Sequence, residues 1–469
     1  MEQTQYNDHY LMDELCEFIM KTKFDDLPAR LIAFASRHIL DTTGAIISGS
    51  YMKEILPILD FVKEQQGKEE SHILVYGGKV PASMCAFVLG PMARATDLGD
   101  AHAEAGHSAE YTLPALIAAT GLEERVSGKD LLLSFILGQE VLIRTGKACK
   151  CVSCEQSAGN QGGHYIFGPV VAIGRLLGLN KKELHSAFGM AKCMTQPYDM
   201  SMYSPANSMV SLHHGFIAQD AVNICLLAKK GIEAHNTKIL SGEGGFYSLF
   251  ARNGNEIDIS EITNNLGKEW EMTNVMFKAY PSCNCTHTSI QGILEQMNKY
   301  HFAYQDIKEI RLEESLINWV IVGQPYEVKW NPQSVSECQF SLPYTVAAAA
   351  CKGDFFLDAY TEENIFSPAI RDLMKKITVI KNTNLPPYVA KVTTELKSGE
   401  SHTGEYSLPK GHPGNPFSDT ELIEKFKKSC SYAYHSFDDA VIDKIIKKML
   451  SLEKVDDVVK EIILPLTPM

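Results

Sequence analysis

Pro409-Lys410-Gly411-His412-Pro413-Gly414-Asn415-Pro416 is the stretch from which the architecture can be read. Three prolines and two glycines in eight residues neither continue a helix nor fill the middle of a sheet, so a boundary falls here. Beyond it the pattern is helical. Ser418 is placed to cap a helix over 419–431, a second follows over 437–451, and a short terminal helix is expected near 455–462. Before it the pattern is mixed. Residues 376–382 and 388–396 alternate and are rich in β-branched side chains, and 308–322 begins the same way, as half-exposed strands do. Helices are expected among them at 286–299 and 341–352. Upstream of about Trp270 the helical spacing returns, in segments 28–48, 83–97, 112–121, 129–147, 166–178, 181–196 and 212–231. Ser127-Gly128-Lys129-Asp130 and Asn180-Lys181-Lys182-Glu183 read as helix starts, the second with capping-box spacing. The expected fold is therefore mainly α. A large all-helical domain is built from both chain ends, 1–267 and 411–469, and a smaller α+β domain, 268–410, is inserted in it.

The 469 residues exceed what one ordinary core organises, which agrees with two domains. With 45% hydrophobic and 22% charged residues the composition is globular, so disorder does not dominate. A formal net charge of −13 and no basic stripe argue against nucleic acid as a partner. They do not exclude an anionic substrate, because a pocket needs only a few local cations. Met1-Glu2-Gln3-Thr4-Gln5-Tyr6-Asn7-Asp8 has no basic segment followed by an apolar one, and no apolar run reaches bilayer length. The 12 cysteines are too sparse for a secreted disulfide scaffold. A cytoplasmic protein with reduced thiols and no membrane partner is the expectation.

The densest polar cluster is Asp97-Leu98-Gly99-Asp100-Ala101-His102-Ala103-Glu104-Ala105-Gly106-His107-Ser108, before a helix expected from about Thr112. Three carboxylates and two imidazoles in a loop of small residues suit a catalytic loop in which a carboxylate orients a proton-moving His. They equally suit a solvated loop whose Asp residues cap helices. His164 ends the run Ser157-Ala158-Gly159-Asn160-Gln161-Gly162-Gly163, just before a helix start whose free N–H groups could meet an anion. A linker with an incidental His is the plainer alternative. In Lys278-Ala279-Tyr280-Pro281-Ser282-Cys283-Asn284-Cys285-Thr286-His287, Lys278 could grip a carboxylate and Cys283 could exchange a proton. A domain-crossing linker with a packed Cys fits the same residues. His213-His214 opens an apolar helix, where one of the two is expected only to pack. Cys149, Cys151 and Cys154 could hold zinc or part of an iron–sulfur cluster, but C-x-C-x-x-C is not a standard spacing for either. No P-loop, GxGxxG after a strand, HExxH or GxSxG is present.

These residues together resemble the MmgE/PrpD family. His38-Ile39-Leu40-Asp41-Thr42-Thr43-Gly44 through Gly49 resembles its opening helix. Ala93 through Asp100, then His107-Ser108 and Leu113-Pro114-Ala115, resemble its H-x-x-D-x-D-D…H-P-S…P-A stretch. Gly138-Gln139-Glu140-Val141-Leu142-Ile143-Arg144 is similar to its G-Y-E-V-x-x-R helix, and His164 with Gly178-Leu179 to the next segment. Lys278-Ala279-Tyr280-Pro281, Gln339-Phe340-Ser341-Leu342-Pro343-Tyr344 and Lys410 through Pro416 match its K-x-[FY]-P, Q-F-S-L-P-Y and K-G-x-P-x-N-P. The ordered set covers nearly the whole chain. It implies a helical domain, an α+β lid, a homodimer, an active site between domains, and no metal or organic cofactor. Asp97, His107, His164 and Lys278 fall on the family's active-site positions. Cys283 joins them as a catalytic candidate, and Asp100, His102, Gln161 and His213 are the expected substrate-binding residues.

The chain departs from the family pattern at Arg94, Gly99, Ala101, Ile166 and Ser108. It also has Val210-Ser211 where the decarboxylase has a Lys, and Cys283 where that enzyme has a His. These departures point away from cis-aconitate decarboxylation. The leading expectation is a cofactor-independent hydro-lyase, like 2-methylcitrate dehydratase, that removes a proton alpha to a carboxylate of a small di- or tricarboxylate. An epimerase or decarboxylase of the same family is the alternative, with Cys283 as an epimerase's second base. A metal or iron–sulfur hydratase built on Cys149, Cys151 and Cys154 is the alternative from another class.

Overall fold

A computed structural model describes residues 8–150, 163–195, 202–234, 238–250 and 256–468. The fold is mainly α. Nine long helices occupy the described part of the first 234 residues: α1 (Asp8–Lys21), α2 (Ala29–Gly49), α3 (Ile55–Gln65), α4 (Ala82–Ala95), α5 (Ala109–Ala119), α6 (Gly128–Lys147), α7 (Phe167–Leu176), α8 (Lys181–Cys193) and α9 (Met209–Lys229). Their starts follow local chemistry. Ser127 Oγ accepts from Asp130 N at 3.2 Å and Asn180 Oδ1 from Glu183 N at 3.1 Å, so both expected caps form. α5 begins at Ala109, three residues before the expected Thr112. The Asp100 carboxylate, nine residues upstream, takes the Ser108 and Ala109 N–H groups at 3.0 Å each and so starts the helix earlier.

α4 and α5 are apolar nearly all round and, with the second half of α2, lie inside the helical mass. α4 crosses α9 at glycines. A Cβ on Gly90 would stand 2.6 Å from the His214 carbonyl oxygen, and one on Gly215 would stand 2.6 Å from that of Phe87. Two backbones can touch there only because neither residue carries a side chain. That contact sets His214 beside the loop that follows α4.

After Trp270 comes a four-stranded sheet of β1 (Ile307–Glu314), β2 (Ile377–Lys381), β3 (Ala390–Leu396) and β4 (Ser401–Tyr406), in the order β4-β3-β1-β2. β1 runs parallel to β2, with Ile310 opposite Ile377, and antiparallel to β3, with Leu312 opposite Val392. Every second residue of β3 is buried, as its alternation predicts, and β4 pairs with it as an edge strand. α10 (His287–Tyr300) covers the sheet, where Gln296 Nε2 donates to the Val392 carbonyl at 2.9 Å, and α11 (Leu342–Lys352) packs beside α10.

The final helices, α12 (Asp419–Cys430) and α13 (Asp439–Met449), return to the first half of the chain. Ser418 caps α12 as expected. Lys425 Nζ donates to Asp41 Oδ1 of α2 at 2.7 Å and to the Leu98 carbonyl at 3.0 Å. Val458 N reaches Val126 O at 2.8 Å, and Val75 N reaches Leu466 O at 2.9 Å. At the Pro/Gly-rich boundary, Gly411 O accepts from Phe277 N at 3.1 Å, so the stretch entering the α+β segment lies beside the stretch leaving it. The division into 1–267 with 411–469, and 268–410, is a proposal drawn from the sequence pattern.

Candidate active site

The site is built around the loop between α4 and α5. α4 ends at Thr96, and Asp97 then turns the chain in the left-handed region at φ 50, a conformation Asp tolerates better than most side chains. The turn points the Asp97 carboxylate back at its own helix. Its Oδ1 forms ion pairs with Arg94, one turn earlier, and with Lys278. Lys278 is placed by two strand-like contacts. Asp100 and Ala101 pair antiparallel with Phe277 and Met276, and Lys278 N donates to the Gly99 carbonyl at 3.0 Å. Burial alone would raise the Asp97 pKa, but the Arg94 and Lys278 charges outweigh it and carry it down to about 2.

Asp100 faces the other way. Besides the two N–H groups at the start of α5, its Oδ2 accepts the Ser108 hydroxyl at 2.5 Å and lies 3.4 Å from His38 Nε2. Burial works against its charge, but these contacts prevail and hold the carboxyl well below the usual range. Its backbone carbonyl receives His107 Nδ1 at 2.7 Å. A carbonyl only accepts, so Nδ1 carries the proton and the neutral ring offers Nε2 as the base. Burial, followed by the Arg94 and Lys278 charges, lowers the His107 pKa to about 3. The ring is nonetheless the more open one here, with 16% of its side chain exposed.

The far end of the loop holds the second pair of imidazoles. His102 Nδ1 accepts from the Glu104 and Ala105 N–H groups at 3.2 Å each. His164 Nε2 lies 3.1 Å from the Ala105 carbonyl, to which it donates. Burial lowers both pKa values to about 4. The two ends are joined by aromatic contacts. His164 leans on Tyr165, Tyr165 stacks on Tyr111, and Tyr111 stacks on His214, with centroids 4.3, 4.3 and 3.8 Å apart. His213 turns elsewhere, with Nδ1 3.2 Å from the Tyr111 hydroxyl.

The α+β segment closes one side. Gln339 Nε2 donates to the Ala95 carbonyl at 2.9 Å, and Gln339 O accepts from Cys283 N at 3.0 Å. The Phe340 ring centroid lies 6.0 Å from Arg94 Cζ, and the Tyr388 hydroxyl reaches Ala103 O at 3.4 Å. Cys283 is 9% exposed. A hydrogen bond with Cys285 is the main influence lowering its thiol pKa, and the Lys278 charge acts in the same direction.

Of the expected site residues, Asp97, Asp100, His107 and Lys278 form one cluster with Cys283 at its edge. His102 and His164 share the other end of the loop, and His213 joins through Tyr111. Gln161 lies outside the described residues, as do Cys151 and Cys154. Cys149 is half-buried and pairs with Ile257 in a two-residue ladder.

Sequence reasoning missed Glu110 and His214. Glu110 Oε2 lies 3.4 Å from His107 Nδ1, 3.5 Å from Arg94 Nε and 3.6 Å from His214 Nε2, with no exposed surface. Its spacing in the sequence is that of an acidic residue in a helix's first turn, which gives no hint of burial. Asp100, His107 and Glu110 each offer a ligand atom within 4.8 Å of the others. This donor set suits a metal poorly. Asp100 Oδ2 already accepts three hydrogen bonds, and the Arg94 and Lys278 charges act on both His107 and Glu110, where they repel a cation.

Residues 13–258 match the MmgE/PrpD N-terminal domain and residues 280–451 the MmgE/PrpD C-terminal domain, so the chain belongs to the MmgE/PrpD family. It is similar to the cis-aconitate decarboxylase-like protein oryM of Aspergillus oryzae, 26% identical over 95% of each chain. The cis-aconitate decarboxylase of Homo sapiens is 26% identical over 93% of this chain and 90% of that one. The 2-methylcitrate dehydratase of Cupriavidus necator is 22% identical over 67% of each. No helix among the described residues is long and apolar enough to cross a membrane.

Proposed function

We propose that this member of the MmgE/PrpD family is a cofactor-independent lyase that removes a proton alpha to a carboxylate of a small di- or tricarboxylate and expels hydroxide, as a 2-methylcitrate dehydratase does. The observation that carries this is the fixed tautomer of His107. Its Nδ1–H is spent on the Asp100 carbonyl, so Nε2 stands as a base on the one partly open ring beside two buried cations. In this reading Nε2 takes the alpha proton. Arg94 and Lys278 hold the substrate carboxylate and stabilise the enediolate-like charge that develops on it. Asp97 fixes both cations. His107 then passes that proton to the departing hydroxide, which leaves as water, and His164, whose own N–H is held by Ala105 O, accepts a hydrogen bond from the leaving hydroxyl at its bare Nδ1. Cys283 and His102 line the substrate, and the working unit is a homodimer.

A second reading, decarboxylation, is favoured by the names of the relatives that align over more than nine-tenths of this chain. Loss of CO2 leaves a carbanion that must be protonated, and the same groups could supply that proton. One experiment separates the two. The enzyme is incubated in D2O with 2-methylcitrate, citrate and cis-aconitate, and products are followed by NMR together with released CO2. Dehydration, or hydration of cis-aconitate with deuterium at the alpha carbon, is the expected result. CO2 from cis-aconitate without hydration would replace the first reading with the second. No turnover of any of the three would sink both.

A further inference from the structure

Glu110 is the buried acid of this site that the proposed chemistry does not use. Neither of its side-chain oxygens has a hydrogen-bond partner among the described residues, and both are sealed from solvent. Titratable or charged groups from five parts of the fold interact with it. These are Arg94 from α4, Asp97, Asp100 and His107 from the loop, His214 from α9, Lys278 from the strand beside the loop and Lys425 from α12. Most of these charges are already matched. Lys425 is matched by Asp41, Asp100 by the N-terminus of α5, and Arg94 and Lys278 converge on Asp97. An ionised Glu110 would set a second negative charge beside Arg94 and Lys278. The backbone is shaped to this side chain as well. A Cβ on Gly99 would stand 2.4 Å from Glu110 Oε1, so the carboxyl occupies the space a side chain at position 99 would need.

We propose that Glu110 is a positioning residue held as the neutral acid, so that no second buried carboxylate competes with a substrate carboxylate for Arg94 and Lys278, and that its ionisation switches anion binding off. The proposal rests on the polycarboxylate reading above. Burial, the largest influence, raises the Glu110 pKa, and with the Arg94 and Lys278 charges opposing it the value stands at about 8. The switch therefore falls just above neutral pH. No bond other than O–H is made or broken. Glu110 releases its proton to solvent as pH rises and takes it back when an anion binds.

The test uses the whole enzyme and an unreactive tricarboxylate, tricarballylate, with binding measured by calorimetry from pH 6 to 10. Wild-type affinity is expected to fall about tenfold per pH unit above the Glu110 pKa, as loss of one linked proton requires. Glu110→Gln, which cannot ionise, is expected to lose that dependence. Infrared spectroscopy of ligand-free wild type at pH 7 should show a buried carboxylic-acid carbonyl band that is missing in Glu110→Gln. Absence of the band overturns the assignment of Glu110 alone. Wild-type affinity that stays level above pH 8, or an unchanged slope in Glu110→Gln, also overturns it. Failure of tricarballylate to bind at any pH, with the band present, overturns it together with the polycarboxylate reading.

Discussion

Arg144 and Arg94 each lie buried beside a carboxylate one turn away, Glu140 in one case and Asp97 in the other. Arg144 gives Nε to Glu140 at 2.6 Å and its two terminal nitrogens to the carbonyls of Glu261, Asn264 and Glu269. Glu140 in turn accepts the Glu271 and Met272 N–H groups at 3.1 and 3.2 Å. The pair clamps the segment that leads into the α+β part, and its hydrogen bonds are met by backbone. Around Arg94 the bonds are not closed. Asp97 Oδ2, Asp100 Oδ1 and both oxygens of Glu110 are buried without a hydrogen-bond partner among the described residues. Buried polar atoms are nearly always paired, because leaving one unpaired costs roughly 1–3 kcal/mol. A cluster of such atoms is what a site has when its proper partners are a substrate and mobile protons. A family motif can thus mark either architecture or chemistry, and the state of the hydrogen bonds tells which.

The sharpest way to break this contrast is His107→Ala. Losing a positioned base costs on the order of 10²–10⁴ in rate. The ring is partly open and stands at a loop, so its removal leaves little cavity. The expectation is a kcat lowered by that factor with an unfolding midpoint near wild type, read from steady-state kinetics and chemical denaturation. A variant that unfolds early yet turns over normally would reverse the roles assigned to the two clusters.

Arg144→Met is the opposite case. Removing one partner of a buried pair strands the other, at a cost of about 3–5 kcal/mol. Here three carbonyls lose their donor as well. The denaturation midpoint should drop sharply, and any folded fraction should keep a kcat close to wild type. Comparable stability with a kcat down a hundredfold would move Arg144 into the chemistry.

How much of this could be read beforehand differs between the two clusters as well. Helix positions followed from apolar spacing and local caps, and α6, α8, α11 and α12 lie within a few residues of expectation. α1 and α3 were not among the expected segments. Leu11, Leu15 and Ile19 do carry a helical spacing in α1, so a signal was present. β4 was missed because an edge strand with alternating exposed residues has little apolar content to announce it. In the site, Asp97, His107 and Lys278 were legible from motif and loop chemistry. Glu110 and His214 were not, because their character comes from contacts across more than a hundred residues. His213 and His214 point about 100° apart on α9. The Gly90–Gly215 crossing brings the start of α9 against α4, where His214 meets Glu110 and the face of Tyr111 and His213 meets the Tyr111 hydroxyl.

The smallest expected effect is that of Asp97, and its contrast with Glu110 separates two carboxyls inside the open cluster. The folded pKa of Asp97, about 2, lies below its ordinary 3.8. Folding therefore favours the ionised form. The stability this gives is complete above pH 3.8 and is lost as pH falls through about 2. One pKa unit is worth 1.36 kcal/mol, so the share at stake is about 2 kcal/mol. Glu110 behaves in the reverse sense. Its folded pKa, about 8, lies above the ordinary 4.5. Folding favours the protonated form, and that stability is present below pH 4.5 and lost as pH rises through about 8. Two variants isolate the limbs. Asp97→Asn should lower stability at neutral pH and flatten the decline between pH 4 and 2. Glu110→Gln should leave the acid limb as it is and flatten the decline between pH 5 and 8. Urea denaturation at each pH reads both, with the slope of stability against pH as the observable. If Glu110→Gln instead flattens the acid decline, as Asp97→Asn does, Glu110 is an ordinary ion-paired carboxylate. The open cluster would then be electrostatically no different from the clamp at Arg144.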